Sequence, residues 1–134
     1  MKIEIGYTEL GSKMVEIIKS FDLFETIEPD GNGEFSCDGN DEFAFAEGEG
    51  GEWDIIGVLW YEVDEATISI KTLQVLPASQ GKGVGTAFIK ALRSEFPYKS
   101  IRASNVTANA RQWYENRGFV KDRDSMWDGD YILD

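Results

Sequence analysis

Residues 73–88 read "LQVLPASQGKGVGTAF": an apolar run, then Gly81, Gly83 and Gly85 at alternate positions, then the first residues of a helical pattern. Val84, Phe88, Ala91, Leu92 and Phe96 recur every three or four residues and Pro97 closes the segment, which predicts a helix directly after the glycines. A strand that delivers a glycine-rich turn to a helix start leaves several N–H groups unpaired beside the positive end of the helix dipole. Such a place suits a phosphate. A turn without a ligand and a tight packing corner are the two other readings. The G-x-G-x-G spacing is neither the dinucleotide G-x-G-x-x-G nor a P-loop, which closes on Gly-Lys-Ser/Thr.

Upstream, "DEFAFAE", "WDIIGVLWYE" and "ATISIKTLQVL" are rich in β-branched and aromatic residues and are separated by "GEGGE" and "VDEA". They predict an antiparallel meander. "KIEIGY" alternates like a strand, and "KMVEIIKSF" after Ser12, a candidate N-cap, places Met14, Ile17, Ile18 and Phe21 on one helical face. A second short helical piece is expected over "DLFETIE", stopped by Pro29 and "DGNG". Downstream, "SIRAS" reads as a strand, "TANARQWYENR" as a helix stopped at Gly118, and "GFVKDRD" and "MWDGDYILD" as terminal strands. A meander followed by strand-helix units implies an α/β (α+β) fold with a mixed, partly parallel sheet flanked by helices, in one domain over residues 1–134.

Composition narrows the function. With 42% apolar residues in 134, the chain can bury one core. No stretch reaches the roughly 20 apolar residues of a membrane span and the N-terminus lacks a signal-peptide pattern, so a soluble cytoplasmic protein is expected, without membrane partners. The absence of histidine removes the usual base for a Ser or Cys nucleophile, and with a single cysteine, Cys37, it leaves no His/Cys zinc cluster; no metal is expected. A net charge of −12 argues against nucleic acid as a partner. That charge is uneven: residues 1–65 hold 18 acidic and 3 basic side chains, net −15, whereas residues 66–134 hold 7 acidic and 10 basic, net +3.

Gln80 distinguishes among the readings of the glycines. "QGKGVG" fits Gln/Arg-x-x-Gly-x-Gly/Ala, and with "LQVLP" before it and a helix after it the segment resembles the acyl-CoA-binding motif of the GNAT superfamily of N-acetyltransferases. "NARQWYENRGF", residues 109–119, is similar to that superfamily's second signature, with Ala110, Tyr114, Gly118 and Phe119 in place. The element order fits along nearly the whole chain, although the N-terminal half carries no motif of its own.

The resemblance implies a splayed central strand pair with acetyl-CoA in the cleft. It implies backbone contacts from Leu73 and Val75 to the acyl-pantetheine arm, with the Leu73 amide donating to the thioester carbonyl. Gln80 and the amides of Gly81, Lys82, Gly83, Val84, Gly85 and Thr86 would enclose the pyrophosphate. Tyr114 would be the acid that protonates the departing thiolate. The family commonly places Asn three residues before the motif alanine; Thr107 stands there instead, as a candidate N-cap, leaving Asn109 or Asn105 to touch the cofactor. The carboxylate base that many relatives carry on the strand before the loop is Ser69 in this chain, so base work falls to water, Glu62 or Glu47.

The expected function is N-acetyl transfer from acetyl-CoA to a primary amine of a cationic small-molecule or peptide acceptor, drawn by the acidic half. The alternative is a non-catalytic acyl-CoA-binding module of the same fold, favoured by Ser69. The terminal strands offer edges for a homodimer contact.

Overall fold

A computed structural model of the chain describes residues 1–21 and 27–134. Most of the helical piece expected over "DLFETIE" therefore lies outside the described residues. The elements run β1 (Lys2–Tyr7), β2 (Glu9–Leu10), α1 (Ser12–Ile18), β3 (Phe35–Ser36), β4 (Asp41–Glu47), β5 (Ile55–Val63) and β6 (Thr67–Val75). A 3-10 turn over Pro77–Ser79 leads to α2 (Val84–Glu95), followed by β7 (Ser100–Ala103), α3 (Ala108–Glu115), β8 (Val120–Lys121) and β9 (Tyr131–Leu133). Seven strands form one sheet in the order β1-β4-β5-β6-β7-β9-β8, and β2 pairs β3 in a separate two-stranded ribbon. Among the described strands only β6 and β7 run parallel.

Alternation in β4 builds both layers. Phe43 and Phe45 face α1, where they pack with Val15, Ile18 and Val58; Ala44 and Ala46 face the other way, with Leu59, Tyr61, Phe88 and Leu92. Small residues under α2 and large ones under α1 let helices of different reach sit on one sheet. A fully buried phenylalanine such as Phe43 contributes about 1.5–3 kcal/mol through its removal from water. Tyr61, also fully buried, keeps its hydroxyl satisfied: it donates to Glu42 Oε1 at 2.9 Å and accepts the Gly6 N–H at 3.1 Å. That pair of bonds ties the irregular end of β1 to the centre of the sheet.

Two expectations shift at the boundaries. Helix α1 starts with Ser12 inside it, so the N-cap is Gly11 and no side chain caps it; Thr107 does occupy the N-cap of α3, again without a side-chain bond. The terminal strands are short because residues 122–130 turn over on themselves, with Asp122 and Asp130 bonding backbone and hydroxyl groups within the loop. Tyr131–Leu133 then enters between β7 and β8 rather than at the outside edge.

Two irregularities in β6 position the site. Trp60 pairs with Thr72 but Tyr61 pairs with Ile70, so Lys71 is an extra residue in the strand, a bulge. The bulge exchanges the faces: Ile68 and Ile70 point to the α2 side before it, and Leu73 and Val75 do so after it. The second irregularity is a parting of strands. β7 stops at Ala103, opposite Ile70, whereas β6 runs on to Val75. Beyond residue 70, no strand among the described residues lies against the edge of β6 that faced β7.

Candidate active site

That open edge has a definite set of donors. Leu76 N–H donates to the Ile56 carbonyl at 2.9 Å, so its amide faces β5. Amides alternate sides along a strand, which turns those of Leu73 and Val75 away from β5 and into the gap. The Val75 carbonyl on the same side accepts a hydrogen bond from Gln80 Nε2 at 3.1 Å.

A cavity of about 700 Å³ fills the space between this edge and the two helices. Leu73 and Val75 line one side, Gln80, Gly81, Gly83, Val84, Gly85 and Thr86 a second, and Ala110, Trp113, Tyr114 and Arg117 a third. Nearly all of the sequence-predicted site residues meet here. Two do not: Lys82 opens onto a different recess, with Glu49 and Asp54, and Asn109 is exposed on α3 outside the cavity. Asn105 also stays away, its N–H bonded to Asp130 Oδ1 at 3.0 Å.

The three glycines do different work. Gly81 and Gly83 have φ of 78° and 84°, left-handed values that an L side chain resists, and they bend the chain from the 3-10 turn into α2. A Cβ on either would meet nothing within 4 Å, so the space they leave is open. Gly85 lies inside α2, and a Cβ there would come within 2.5 Å of Trp113 Cζ2. It is a packing corner. The run thus combines two left-handed glycines beside open space with one glycine that makes room for Trp113.

Trp113 and Arg117 form the wall that sequence reasoning left out. The Arg117 guanidinium lies 3.8 Å from the centre of the Trp113 ring, donates from Nε to Thr86 Oγ1 at 2.8 Å, and donates from Nη1 to the Trp113 carbonyl at 2.8 Å. Both lie in "NARQWYENRGF": Trp113 is on α3, and Arg117, in the turn just past the helix end, folds its guanidinium back over the Trp113 ring.

Tyr114 is 9% exposed and contacts Trp113 and Phe119 edge-on, with ring centroids 4.9 and 5.1 Å away. Burial pushes its phenol above the ordinary tyrosine range, so it holds its proton at neutral pH. Tyr114 thus brings a protonated phenol to the lining of the cavity.

A second cavity, of about 270 Å³, touches the same strand from the α1 face, between Ser20, Phe21, Gln74, Leu76 and Pro77, and shares Leu73, Val75 and Gln80 with the first. On that face Glu62 stands opposite Ser69, and Lys71 Nζ lies 2.9 Å from Asp41 Oδ2 and 3.6 Å from Glu62 Oε2. Glu47 is farther off, lining a recess with Glu4 and Tyr7 at the far side of the sheet. Cys37 is a poor nucleophile: burial, then Asp41 and Glu42, push its thiol up to about 11. Among the described residues, no group of three or more His, Cys, Asp or Glu is placed to hold a metal ion, and no helix is long and apolar enough to cross a membrane.

Residues 39–121 match the family model of the acetyltransferase (GNAT) domain. The chain belongs to the GNAT acetyltransferase family. Solved GNAT structures share its mixed fold. Escherichia coli ElaA is 14% identical and superimposes with a TM-score of 0.64, covering 98% of this chain and 96% of its own. The ribosomal-protein-S18-alanine N-acetyltransferase of Escherichia coli, also 14% identical, gives 0.63 over 98% of this chain and 89% of its own. A GNAT family acetyltransferase of Elizabethkingia anophelis, solved with acetyl-CoA bound, is 20% identical with a TM-score of 0.54, over 69% and 73% of the two chains. No protein with a curated description matches the sequence.

Proposed function

We propose that this GNAT protein transfers an acetyl group from acetyl-CoA to the primary amine of a cationic acceptor, by direct attack through a tetrahedral intermediate. The observation that carries the reading is the meeting, in one cavity, of the open Leu73–Val75 edge, the glycine turn at the start of α2, and the buried Tyr114 phenol. The acetyl-CoA complex of the Elizabethkingia anophelis relative supports the choice of donor.

In this reading the thioester lies along β6 with its carbonyl oxygen on the Leu73 N–H. The amine enters from the smaller cavity on the α1 face. Its nitrogen attacks the carbonyl carbon, the oxygen gains charge, and the Leu73 hydrogen bond strengthens. The amine proton leaves through water to Glu62, whose place opposite Ser69 puts a carboxylate beside the position where a base is otherwise missing. The carbon–sulfur bond breaks, and the Tyr114 hydroxyl gives its proton to the departing thiolate. The unused acidity of the first 65 residues favours a cationic acceptor such as a polyamine, an aminoglycoside-like compound or a lysine side chain.

Purified protein with acetyl-CoA and a panel of amines tests the proposal through release of free thiol. Faster release with cationic amines than with neutral or anionic ones is the expected outcome. Tight CoA binding with no release over background would identify a binding module instead, the reading that Ser69 favours.

A further inference from the structure

The principal cavity is expected to receive a polyanion, yet it belongs to a chain of net charge −12. Among the described residues that line it, Arg117 alone is charged. Three contacts fix its guanidinium: the Trp113 ring, the Thr86 hydroxyl and the Trp113 carbonyl. None is a counter-ion. Among the described residues no carboxylate lies within ion-pair distance of Arg117, whereas Arg102 has Asp122 at 2.7 Å. Desolvation with no offsetting partner pushes the guanidinium pKa down. A held, partly desolvated cation with spare donors and no anion is an incomplete pair.

The contacts also say what is left over. Nε and one Nη1 hydrogen are used, which leaves three of the five guanidinium N–H groups for a ligand. Thr86 Oγ1 accepts from Nε, so its own proton remains available to donate. Thr86 lies in the first turn of α2, the turn that presents the amides at the glycine run.

We propose that Arg117 is the charged half of the phosphate subsite and sets donor specificity: it selects a phosphorylated, pantetheine-linked thioester over a phosphate-free one. The inference rests on the reading of this cavity as the acyl-CoA site. Amides of the α2 turn approach the phosphate from one side and the guanidinium approaches from the end of α3 on the other. Lys82, the cation inside the glycine run, opens onto a different recess and does not supply this charge. Screening at ~0.1 M salt confines charge effects to about 10 Å, so the general negative charge of the chain yields locally to one well-held cation.

The test compares binding of CoA and of pantetheine, which lacks the phosphates, to the wild-type protein and to Arg117→Met, Arg117→Lys and Thr86→Val by titration calorimetry. The wild type prefers CoA. In Arg117→Met the CoA-over-pantetheine preference falls about ten- to a hundredfold, the range of a hydrogen bond to a charged group. Arg117→Lys, which keeps the charge and loses the fork, recovers part of it, and Thr86→Val loses less than Arg117→Met. A merely structural role would weaken both ligands together and leave their ratio unchanged, and that result overturns the assignment. Should Arg117→Met fail to fold, an unchanged ratio in both Arg117→Lys and Thr86→Val does the same. Wild-type protein that binds no CoA overturns the functional reading, and the Arg117 assignment with it.

Discussion

Replacing Gly85 by alanine sets two opposed effects against each other at one atom. Gly85 is the second residue of α2, and alanine there gains at most about 1 kcal/mol of helix propensity over glycine. Against this, the added methyl comes within 2.5 Å of Trp113 Cζ2, 3.2 Å of Cη2 and 3.4 Å of Cε2. The indole has nowhere easy to go, since the Arg117 guanidinium lies over its face and the Tyr114 ring meets it at an interplanar angle of 83°. Overpacking of this kind costs about 1–3 kcal/mol. The clash wins, and the net destabilisation is about 1 kcal/mol, or a fall of ~2–8 °C in melting temperature for a domain of this size. The functional loss is larger than the thermal one, because a displaced Trp113 carries Arg117 and the cavity wall with it. CoA affinity is expected to fall at least about tenfold, measured by calorimetry beside a thermal melt. Gly83→Asn is the contrasting control, since a Cβ there meets open space and Asn tolerates left-handed φ; it retains most of the affinity. A Gly85→Ala protein as stable as wild type with unchanged CoA affinity would refute the packing-corner argument.

Tyr114→Phe keeps the ring in its apolar surroundings and removes the acid, so turnover drops by about 10²–10⁴ while CoA affinity stays within a few fold; equal turnover ends the acid role. Glu62→Gln lowers kcat/KM for the amine about tenfold or more, with the loss easing as pH rises and more amine arrives unprotonated. No change across the pH profile would leave Glu62 without a part in proton transfer. Folded Tyr7, Tyr61 and Tyr114 resist ionisation: a hydrogen bond to Glu4 pushes Tyr7 up to about 12, burial and the bond to Glu42 raise Tyr61, and burial raises Tyr114. Unfolded tyrosines ionise near ~10, so the stabilisation is complete below that pH and declines as pH rises past it. Denaturant melts from pH 8 to 11 check the sign; Tyr61→Phe flattens the decline and, by orphaning the Gly6 N–H, costs about 1–3 kcal/mol at neutral pH.

The fold was legible wherever local pattern and burial agreed. The "FAFA" alternation, the Val84-Phe88-Leu92 stripe and the turn glycines each state their own environment. The bulge at Lys71 is different: nothing in "SIKTLQ" signals an extra residue, because it answers to the register of β5, a strand away. The sequence predicts strands over 118–124 and 126–134, but residues 122–130 form a loop held by Asp122 and Asp130, which bond backbone and hydroxyl groups within it, a pattern composition alone does not resolve. In the candidate site, the turn at Gly81 and Gly83 is legible from the glycines, whereas the Trp113–Arg117 wall depends on how α3 lies against α2. Asn109 is exposed on α3, because the helix turns Ala110 toward the cavity instead.

The parting of β6 from β7 amounts to an edge strand placed inside the molecule. Edges ordinarily recruit other chains, and proteins blunt them with charge, proline or cover. Here the start of α2 and the Trp113–Arg117 stack line the far wall of the cavity on that edge, and the Gln80 amide donates to the Val75 carbonyl. The remaining amides, Leu73 and Val75, are therefore shielded from stray polypeptide and left for something narrower. Under the proposed function, acyl-CoA would take the place of a missing strand on this edge, and slowed hydrogen exchange at those two amides would mark its binding.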